Sequence, residues 1–396
     1  MVKKSFLSIG LVGIGNVFNA VLGFAFITAI ARHLSLEEFG KYALLTSLLV
    51  SLSKLLDFGT SSLFVAKSIA SEKQSSTSQF FGVKIILLLL SLPISLLVLV
   101  AMGFFSLEYI IIFSLGMLFY AISYTLFALF QKLERYFELV LLNTIPALIK
   151  GTFALLLFFN IVQMNVTQMF SVFSLSIGAG VLLYFFLPSQ MKILNFKFSQ
   201  TKSFLKEAFS PGLAQLITES FSAISNTIAK ITNNFTSVGI FSIADKISSV
   251  FVLASFSIFT VLLPKNARRK ITKEGYDLKE TKLLAVGILA LAVIAIFAAK
   301  ILIPWIFDNK YNESLPIFNI LVFAGAIAAI HTFMENYFFV EGKTKYLAYI
   351  YLTKLSILLL FSAILVPFYS IAGLAWSQLI SATSALGIIY LLIQRG

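Results

Sequence analysis

The chain contains no cysteine and only two histidines, His33 and His331. Without cysteine it can form no disulfide, has no thiolate nucleophile and lacks the usual zinc frameworks. Two histidines alone do not hold a transition metal, and no histidine–glutamate metal motif accompanies them. The sequence therefore predicts neither a metal site nor a cofactor.

Charged residues are also scarce, at 12% of the 396 residues, against about 25% in soluble domains. Hydrophobic residues make up 59%, and the mean hydropathy is +0.96. A water-soluble domain cannot bury this much apolar surface, which excludes a soluble enzyme and a disordered chain. The net charge of +13 lies mainly in short segments between apolar runs, where it sets membrane topology. We therefore expect no nucleic-acid partner.

Twelve apolar runs are long enough to cross a bilayer core of about 30 Å. They are residues 8–31, 41–66, 79–101, 109–130, 139–160, 167–188, 209–231, 239–263, 283–306, 315–339, 346–367 and 371–393. This pattern predicts an all-α polytopic membrane protein, with about 12 transmembrane helices in two six-helix lobes around a central cavity.

Lysine and arginine are concentrated in alternate segments, beginning with Lys3 and Lys4. The positive-inside rule then places both termini in the cytoplasm. The two longest polar segments, 190–208 and 264–282, fall on the same side. We predict an N-terminal lobe at 1–189 (spans 1–6), a cytoplasmic linker at 190–208 and a C-terminal lobe at 209–396 (spans 7–12).

A weak internal repeat supports two lobes of equal orientation. Residues 36–43 join spans one and two, and residues 235–242 join spans seven and eight. Each element carries a glycine followed two residues later by an aromatic residue, beginning at Gly40 and at Gly239. A duplicated six-helix lobe is the simplest interpretation.

An ionisable side chain inside a membrane is a functional candidate, because burial there costs at least about 2.5–3.5 kcal/mol. Lys150 lies in the middle of span five, about 11 residues or roughly 16 Å from either end, too deep for easy snorkelling. It is the strongest candidate in the chain. Lys354 lies on span eleven, the equivalent helix of the other half, about eight residues from its inner end. Its side chain either snorkels to the membrane surface or faces a cavity.

Span seven carries a polar stripe at spacings of four, three, four and four residues. Its members are Gln215, Glu219, Ser222, Asn226 and Lys230. This spacing places them on one face of an otherwise apolar helix. The face either packs against polar side chains of a neighbouring helix or lines a water-filled cavity.

Other charges lie on spans two and eight. Lys54 and Asp57 are three residues apart, so they either neutralise each other or face the cavity. Asp245 and Lys246 are adjacent and therefore point in directions about 100° apart. We predict that Glu219, Asp57 and Asp245 are the candidates for ion coupling.

Two further charges, Lys84 and Glu335, lie about five residues from the inner ends of their spans, or roughly 7 Å of helix rise. A long side chain covers that distance, so we expect both to snorkel to the membrane surface. The lysines that remain inside the membrane favour an anionic cargo, because a phosphate in a low-dielectric space needs positive partners.

Several segments carry a family resemblance. They are residues 31–42 (ARHLSLEEFGKY), 56–59 (LDFG) and 238–247 (VGIFSIADKI), followed by Pro264. In this order, and with twelve spans, the chain resembles the Wzx-type O-antigen and polysaccharide flippases of the multidrug/oligosaccharidyl-lipid/polysaccharide (MOP) flippase superfamily. Relatives often carry an acidic residue in span seven where this chain has Asn226.

The resemblance implies that the chain moves an undecaprenyl-pyrophosphate-linked oligosaccharide across a bacterial inner membrane by alternating access. It also implies contact with membrane lipid and association with polysaccharide polymerase and chain-length proteins. Lys150, Lys54, Lys354, Lys246 and Lys230 are then the cations for the cargo, assisted by polar side chains of span seven. The alternatives are a multidrug or small-molecule antiporter of the same superfamily, or a membrane enzyme of polysaccharide assembly.

Overall fold

The computed structural model describes residues 2–70, 75–192, 196–198, 201–252, 278–307, 309–343 and 345–395, with 255, 258–259, 262, 265–266, 269 and 272 between the fourth and fifth ranges. Pro264, parts of the predicted linker at 190–208 and parts of the eighth apolar run lie outside these residues. The described part of the chain is built of helices without strands, which confirms the all-α prediction.

Up to Thr232, the described residues form nine α-helices and one 3-10 helix. They are α1 (Val2–His33), α2 (Leu36–Asp57), α3 (Thr60–Ala70), α4 (Ser75–Ala101), α5 (Leu107–Lys132), α6 (Tyr136–Phe158), α7 (Val166–Val181), a 3-10 turn (Leu182–Phe186), the short α8 (Ser189–Lys192) and α9 (Thr201–Thr232). Five further α-helices have both ends among the described residues: α10 (Phe235–Ser248), α11 (Leu278–Phe307), α12 (Ser314–Met334), α13 (Asn336–Val340) and α14 (Lys345–Arg395).

Most of the predicted apolar runs lie on one of these helices, while 41–66 and 315–339 each extend over two consecutive helices, so the count of twelve is approximate. Among the described residues, ten helical segments are long and apolar enough to cross a membrane. The tenth, Lys345–Gln394, contains both of the last two predicted runs. They meet at Ser370, whose φ of 52° and ψ of −136° interrupt the helical backbone three residues after Pro367.

Side-chain caps begin several helices where the sequence predicts loops. Ser106 accepts from the backbone N–H of Tyr109 at the start of α5, and Asn234 accepts from the N–H of Ser237 at the start of α10. Asn165 and Gln168 form a reciprocal capping box at the start of α7. These oxygens satisfy helix N–H groups that have no partner within the helix.

Contacts among the residues group the chain into two compact units. The first contains Met1–Ser35 and Leu44–Ser220, and the second contains Leu36–Ala43 and Phe221–Gly396. In the first unit α1 packs against α6, while α7 packs against both α5 and α6. In the second unit α12 packs against α10, α11 and α14. The division into lobes at 190–208 remains a prediction.

Within the second unit, the two elements of the internal repeat pack directly against each other. A Cβ atom on Gly40 would lie 1.7 Å from the carbonyl oxygen of Phe235, and a Cβ on Gly239 would lie 2.4 Å from that of Leu36. Backbones approach this closely only where both residues lack a side chain. The glycines that reveal the repeat in the sequence therefore also form its contact.

Candidate functional site

The polar side chains of the membrane spans form several clusters, and the first lies at the junction of α2 and α3. The helix breaks at Phe58 and Gly59, which have positive φ values of 40° and 72°. A Cβ on Gly59 would lie 2.7 Å from the backbone nitrogen of Gly212 in α9. Glycine therefore allows both the turn and the close approach of α9.

Asp57, the last residue of α2, holds this break together. Its Oδ1 accepts from the Nζ of Lys84 at 2.6 Å, from the hydroxyl of Ser61 and from the Ser61 backbone N–H at 3.3 Å. Lys84 also donates to the carbonyl oxygen of Leu56 at 3.3 Å, next to the break. The side chains of both Asp57 and Lys84 are only 6% exposed.

These contacts correct one expectation from the sequence and rule out one of two alternatives. Lys84 does not snorkel, because its ammonium is held by Asp57 of another helix. Asp57 does not pair with Lys54, although the two are three residues apart. Lys54 instead lies 3.7 Å from Glu219 of α9 and 5.2 Å from the ring centre of Tyr124.

Lys150 lies on α6 and is half-buried. Its Nζ is 5.1 Å from the ring centre of Phe173 on α7, a distance at which an aromatic face stabilises a cation. In the part of the chain that the structure describes, no carboxylate lies within ion-pair distance of it. Lys150 thus remains a charge without an acidic partner among those residues.

The polar stripe of α9 runs through both units. In the first unit Gln215 is half-buried and the Glu219 side chain is 44% exposed. In the second unit Ser222 donates to Oδ2 of Asp245 at 3.1 Å, and Asn226 accepts from the hydroxyl of Ser242 at 2.9 Å. For these two residues the stripe packs against polar side chains of α10, which was one of the two alternatives.

Two further lysines lie near this cluster. The Nζ of Lys230 is 5.9 Å from the ring centre of Phe235, and Lys246 is half-buried beside Asp245. Gln378 of α14 donates to the hydroxyl of Ser225 at 2.8 Å. Helices α9, α10 and α14 thus share a polar interface in which carboxylate, amide and hydroxyl groups satisfy one another.

The last cluster joins α12 and α14, and we call it the α12–α14 relay: Lys354, His331, Glu335 and Tyr351. Lys354 Nζ lies 3.1 Å from His331 Nε2, and His331 Nδ1 lies 3.2 Å from Glu335 Oε1. The Tyr351 hydroxyl donates to the same Glu335 oxygen at 2.6 Å. Glu335 is 7% exposed, so the expectation that it snorkels is wrong.

The relay contains two functional candidates that the sequence reasoning missed. His331 was set aside because it belongs to no metal motif, and Glu335 because of its distance from the helix end. The spacing of His331 and Glu335, four residues apart on an apolar helix, was the available signal, because it places both on one face. The sequence did identify Lys354 as a candidate. It did not identify its partners, because His331 and Glu335 lie 19 or more positions away on another helix and only Tyr351 is close in the chain.

Comparisons with known proteins agree with this architecture. Residues 5–270 match the family model described as polysaccharide biosynthesis protein. The capsular polysaccharide biosynthesis protein CapF of Staphylococcus aureus is 25% identical over 397 residues, covering 96% of this chain and 97% of CapF.

Solved structures show the same fold at low identity. The lipid II flippase MurJ in an inward closed conformation has a TM-score of 0.79 and 15% identity, covering 97% of this chain and 87% of that one. An inward-facing multidrug resistance MATE family transporter of the MOP superfamily has a TM-score of 0.74 and 12% identity, covering 95% of each chain. The chain therefore belongs to the polysaccharide biosynthesis protein family and is a multi-pass membrane protein with the MOP superfamily fold, which confirms the resemblance at the level of that family and fold.

Proposed function

We propose that this protein is a flippase that moves an undecaprenyl-diphosphate-linked oligosaccharide from the cytoplasmic to the periplasmic leaflet of a bacterial inner membrane. Membership of the polysaccharide biosynthesis family supports a role in polysaccharide assembly. The similar fold of a protein named as a lipid II flippase supports transport, and not catalysis, as that role. Under this proposal both termini lie in the cytoplasm.

The observation that carries the proposal is Lys150. A cation in the middle of a membrane helix costs at least about 2.5–3.5 kcal/mol, and no carboxylate among the described residues lies within ion-pair distance to offset that cost. A diphosphate offers the missing negative charge, and a lysine ammonium binds phosphate oxygens through charge-assisted hydrogen bonds. Lys54 supports the same assignment, because its pairing with the exposed Glu219 is loose at 3.7 Å.

The diphosphate and sugars would then cross with the lysines while the polyprenyl chain stays in lipid, as alternating access allows. An ion gradient would supply the energy, since the sequence has no phosphate-binding loop for a nucleotide. Of the predicted coupling residues, Asp57 is neutralised by Lys84, which leaves Glu219 and Asp245 as the stronger candidates.

The test is a flipping assay with purified protein in proteoliposomes. The probe is undecaprenyl diphosphate carrying a fluorescently labelled disaccharide, and an impermeant quencher reports the label that reaches the outer leaflet. We expect wild type to expose the inner-leaflet probe, and Lys150→Met to slow this step by about tenfold or more, since a charged hydrogen bond contributes about 1.5–3 kcal/mol.

Two matched variants serve as controls. Lys150→Arg keeps the charge and is expected to retain most of the rate, while Lys300→Met removes an exposed lysine of α11 and is expected to behave as wild type. Wild type that does not move the probe but drives efflux of ethidium would support the multidrug-antiporter alternative. Equal rates for wild type and Lys150→Met would remove Lys150 from the cargo path.

A further inference from the structure

The α12–α14 relay is a chain of polar groups that is closed to solvent at one end. His331 is 2% exposed, Glu335 7% and Tyr351 8%. Lys354 is only half-buried, and its Nζ lies 4.6 Å from the ring centre of Phe221. The lysine therefore lies between the buried histidine–glutamate pair and the ring of Phe221.

The hydrogen bonds of the relay fit one assignment of its protons, in which Lys354 is an ammonium. An ammonium group only donates hydrogen bonds, so Nε2 of His331 must accept from Lys354. The imidazole proton then resides on Nδ1 and is donated to Glu335, which also accepts from Tyr351. All four groups are satisfied together when Lys354 is positive, His331 neutral and Glu335 negative, which gives zero net charge.

One additional proton disrupts this arrangement at a single contact. If solvent delivers a proton to Nε2 of His331, that nitrogen becomes a donor and faces the ammonium of Lys354 across 3.1 Å. Two positive donors at this distance repel each other strongly in a buried site. Lys354 then has to leave His331, whereas the protonated imidazole keeps its hydrogen bond with Glu335.

The charged groups around His331 come from two helices. Glu335 belongs to α12 itself and Lys354 to α14, together with the phenol of Tyr351. From α10 and α11, which also pack against α12, no described charged group has an electrostatic interaction with His331. Protonation of His331 is therefore governed mainly by the position of Lys354 and the charge of Glu335.

We infer that the α12–α14 relay links proton uptake at His331 to the binding of a diphosphate by Lys354. An anion that draws the ammonium away from Nε2 leaves that nitrogen as an unpaired acceptor, which a proton then satisfies. The linkage is reciprocal, so protonation of His331 releases Lys354 for the anion. This inference rests on the proposed function, because the diphosphate is that of the proposed cargo.

The two histidines of the chain make a direct test possible in the wild type. The full-length protein, labelled with [15N]histidine and placed in nanodiscs, gives imidazole signals for His33 and His331 alone. The control His33→Gln assigns them; it removes an imidazole of the first unit that accepts from the Met164 backbone N–H at 3.3 Å. Inorganic pyrophosphate serves as the probe, and calorimetry measures its binding.

At neutral pH and without pyrophosphate, we expect His331 to be neutral with its proton on Nδ1. On saturation with pyrophosphate we expect both nitrogens to be protonated, with net proton uptake from a weakly buffered solution. Lys354→Met should weaken pyrophosphate binding about tenfold or more and abolish the response of His331. His331→Gln should bind pyrophosphate without this proton uptake.

Two results would overturn the inference: a wild type that does not bind pyrophosphate, or one that binds it while His331 stays neutral. Either result, combined with successful flipping of the labelled lipid, leaves the proposed function intact and makes the relay a structural network. Proton uptake on pyrophosphate binding without flipping of the lipid would support the relay and refute the proposed function. The variants are not needed for this decision, so a folding defect in one of them does not obscure it.

Discussion

The ion pair between Asp57 and Lys84 should dominate the stability of the junction between α2 and α3. Both side chains are 6% exposed and their charged atoms are 2.6 Å apart. Removing one member of a buried pair leaves the other charge without a partner, at a cost of about 3–5 kcal/mol. Lys84→Met leaves the carboxylate of Asp57 unpaired, and Asp57→Asn leaves the ammonium of Lys84 unpaired.

The double variant separates this pair from its surroundings. Replacing both charged residues removes their attraction and leaves neither charge unpaired. The double variant should therefore lose less free energy of unfolding than the two single variants together. We expect a coupling free energy of about 1–3 kcal/mol, which is the range for residues in one network. The more exposed pair Glu37–Lys41, 2.7 Å apart with side chains 57% and 34% exposed, is the matched control and should contribute about 0.3–0.5 kcal/mol.

The assay is reversible unfolding in mixed micelles with increasing SDS, followed by the loss of far-ultraviolet circular dichroism. Single variants that each cost less than about 1 kcal/mol and show no coupling would refute the reasoning, because the pair would then be solvated or unformed. If Lys84→Met does not fold, Asp57→Asn still tests the pair, since its remaining oxygen continues to accept from the Ser61 N–H.

Two further predictions concern other parts of the chain. Gly40→Ala should destabilise the contact between α2 and α10 by about 1–3 kcal/mol, as overpacking does, whereas Gly287→Ala, which has open space around it, should be neutral or stabilising in the same unfolding assay. Burial lowers the pKa of Lys310 below 10.5, with a smaller opposing effect of Glu38. Between that lowered pKa and 10.5 the unfolded state binds more protons, so stability should rise with pH in this alkaline window, and Lys310→Met should lose the rise. A rise that persists in Lys310→Met would assign it to another group.

The sequence predicts the positions of the helices well because hydropathy acts on each span separately. A run such as 79–101 must be helical in lipid whatever its neighbours are, since its backbone groups have no other partners there. The sequence separates the runs at 346–367 and 371–393. Both lie on α14, whose helical backbone is interrupted between them at Ser370. Hydropathy senses the change in polarity there but not the conformation of the backbone.

The partners of the buried charges could not be predicted in the same way. Helical spacing compares residues of one helix, so it offered Lys54 as the partner of Asp57, whereas the actual partner, Lys84, belongs to α4. Snorkelling was likewise judged from distance along the helix axis. That distance ignores whether an opposite charge on a neighbouring helix holds the side chain inside, which is what Asp57 does to Lys84.

The lysines within the membrane helices therefore fall into two groups, those bound to a carboxylate and those beside aromatic rings. Lys84 is bound to a carboxylate, a carbonyl and a hydroxyl, so an incoming anion would have to displace Asp57 and break the junction of α2 and α3. Among the described residues, Lys150 lies beside an aromatic ring, and Lys354 lies beside a ring and the imidazole of His331. An anion that binds Lys150 or Lys354 displaces no carboxylate bound directly to that lysine. Under the proposed function, the transport rate of a diphosphate-linked lipid should therefore depend on the charge of Lys150 and on that of Lys354. It should not depend on the charge of Lys84, provided that the variant at Lys84 folds.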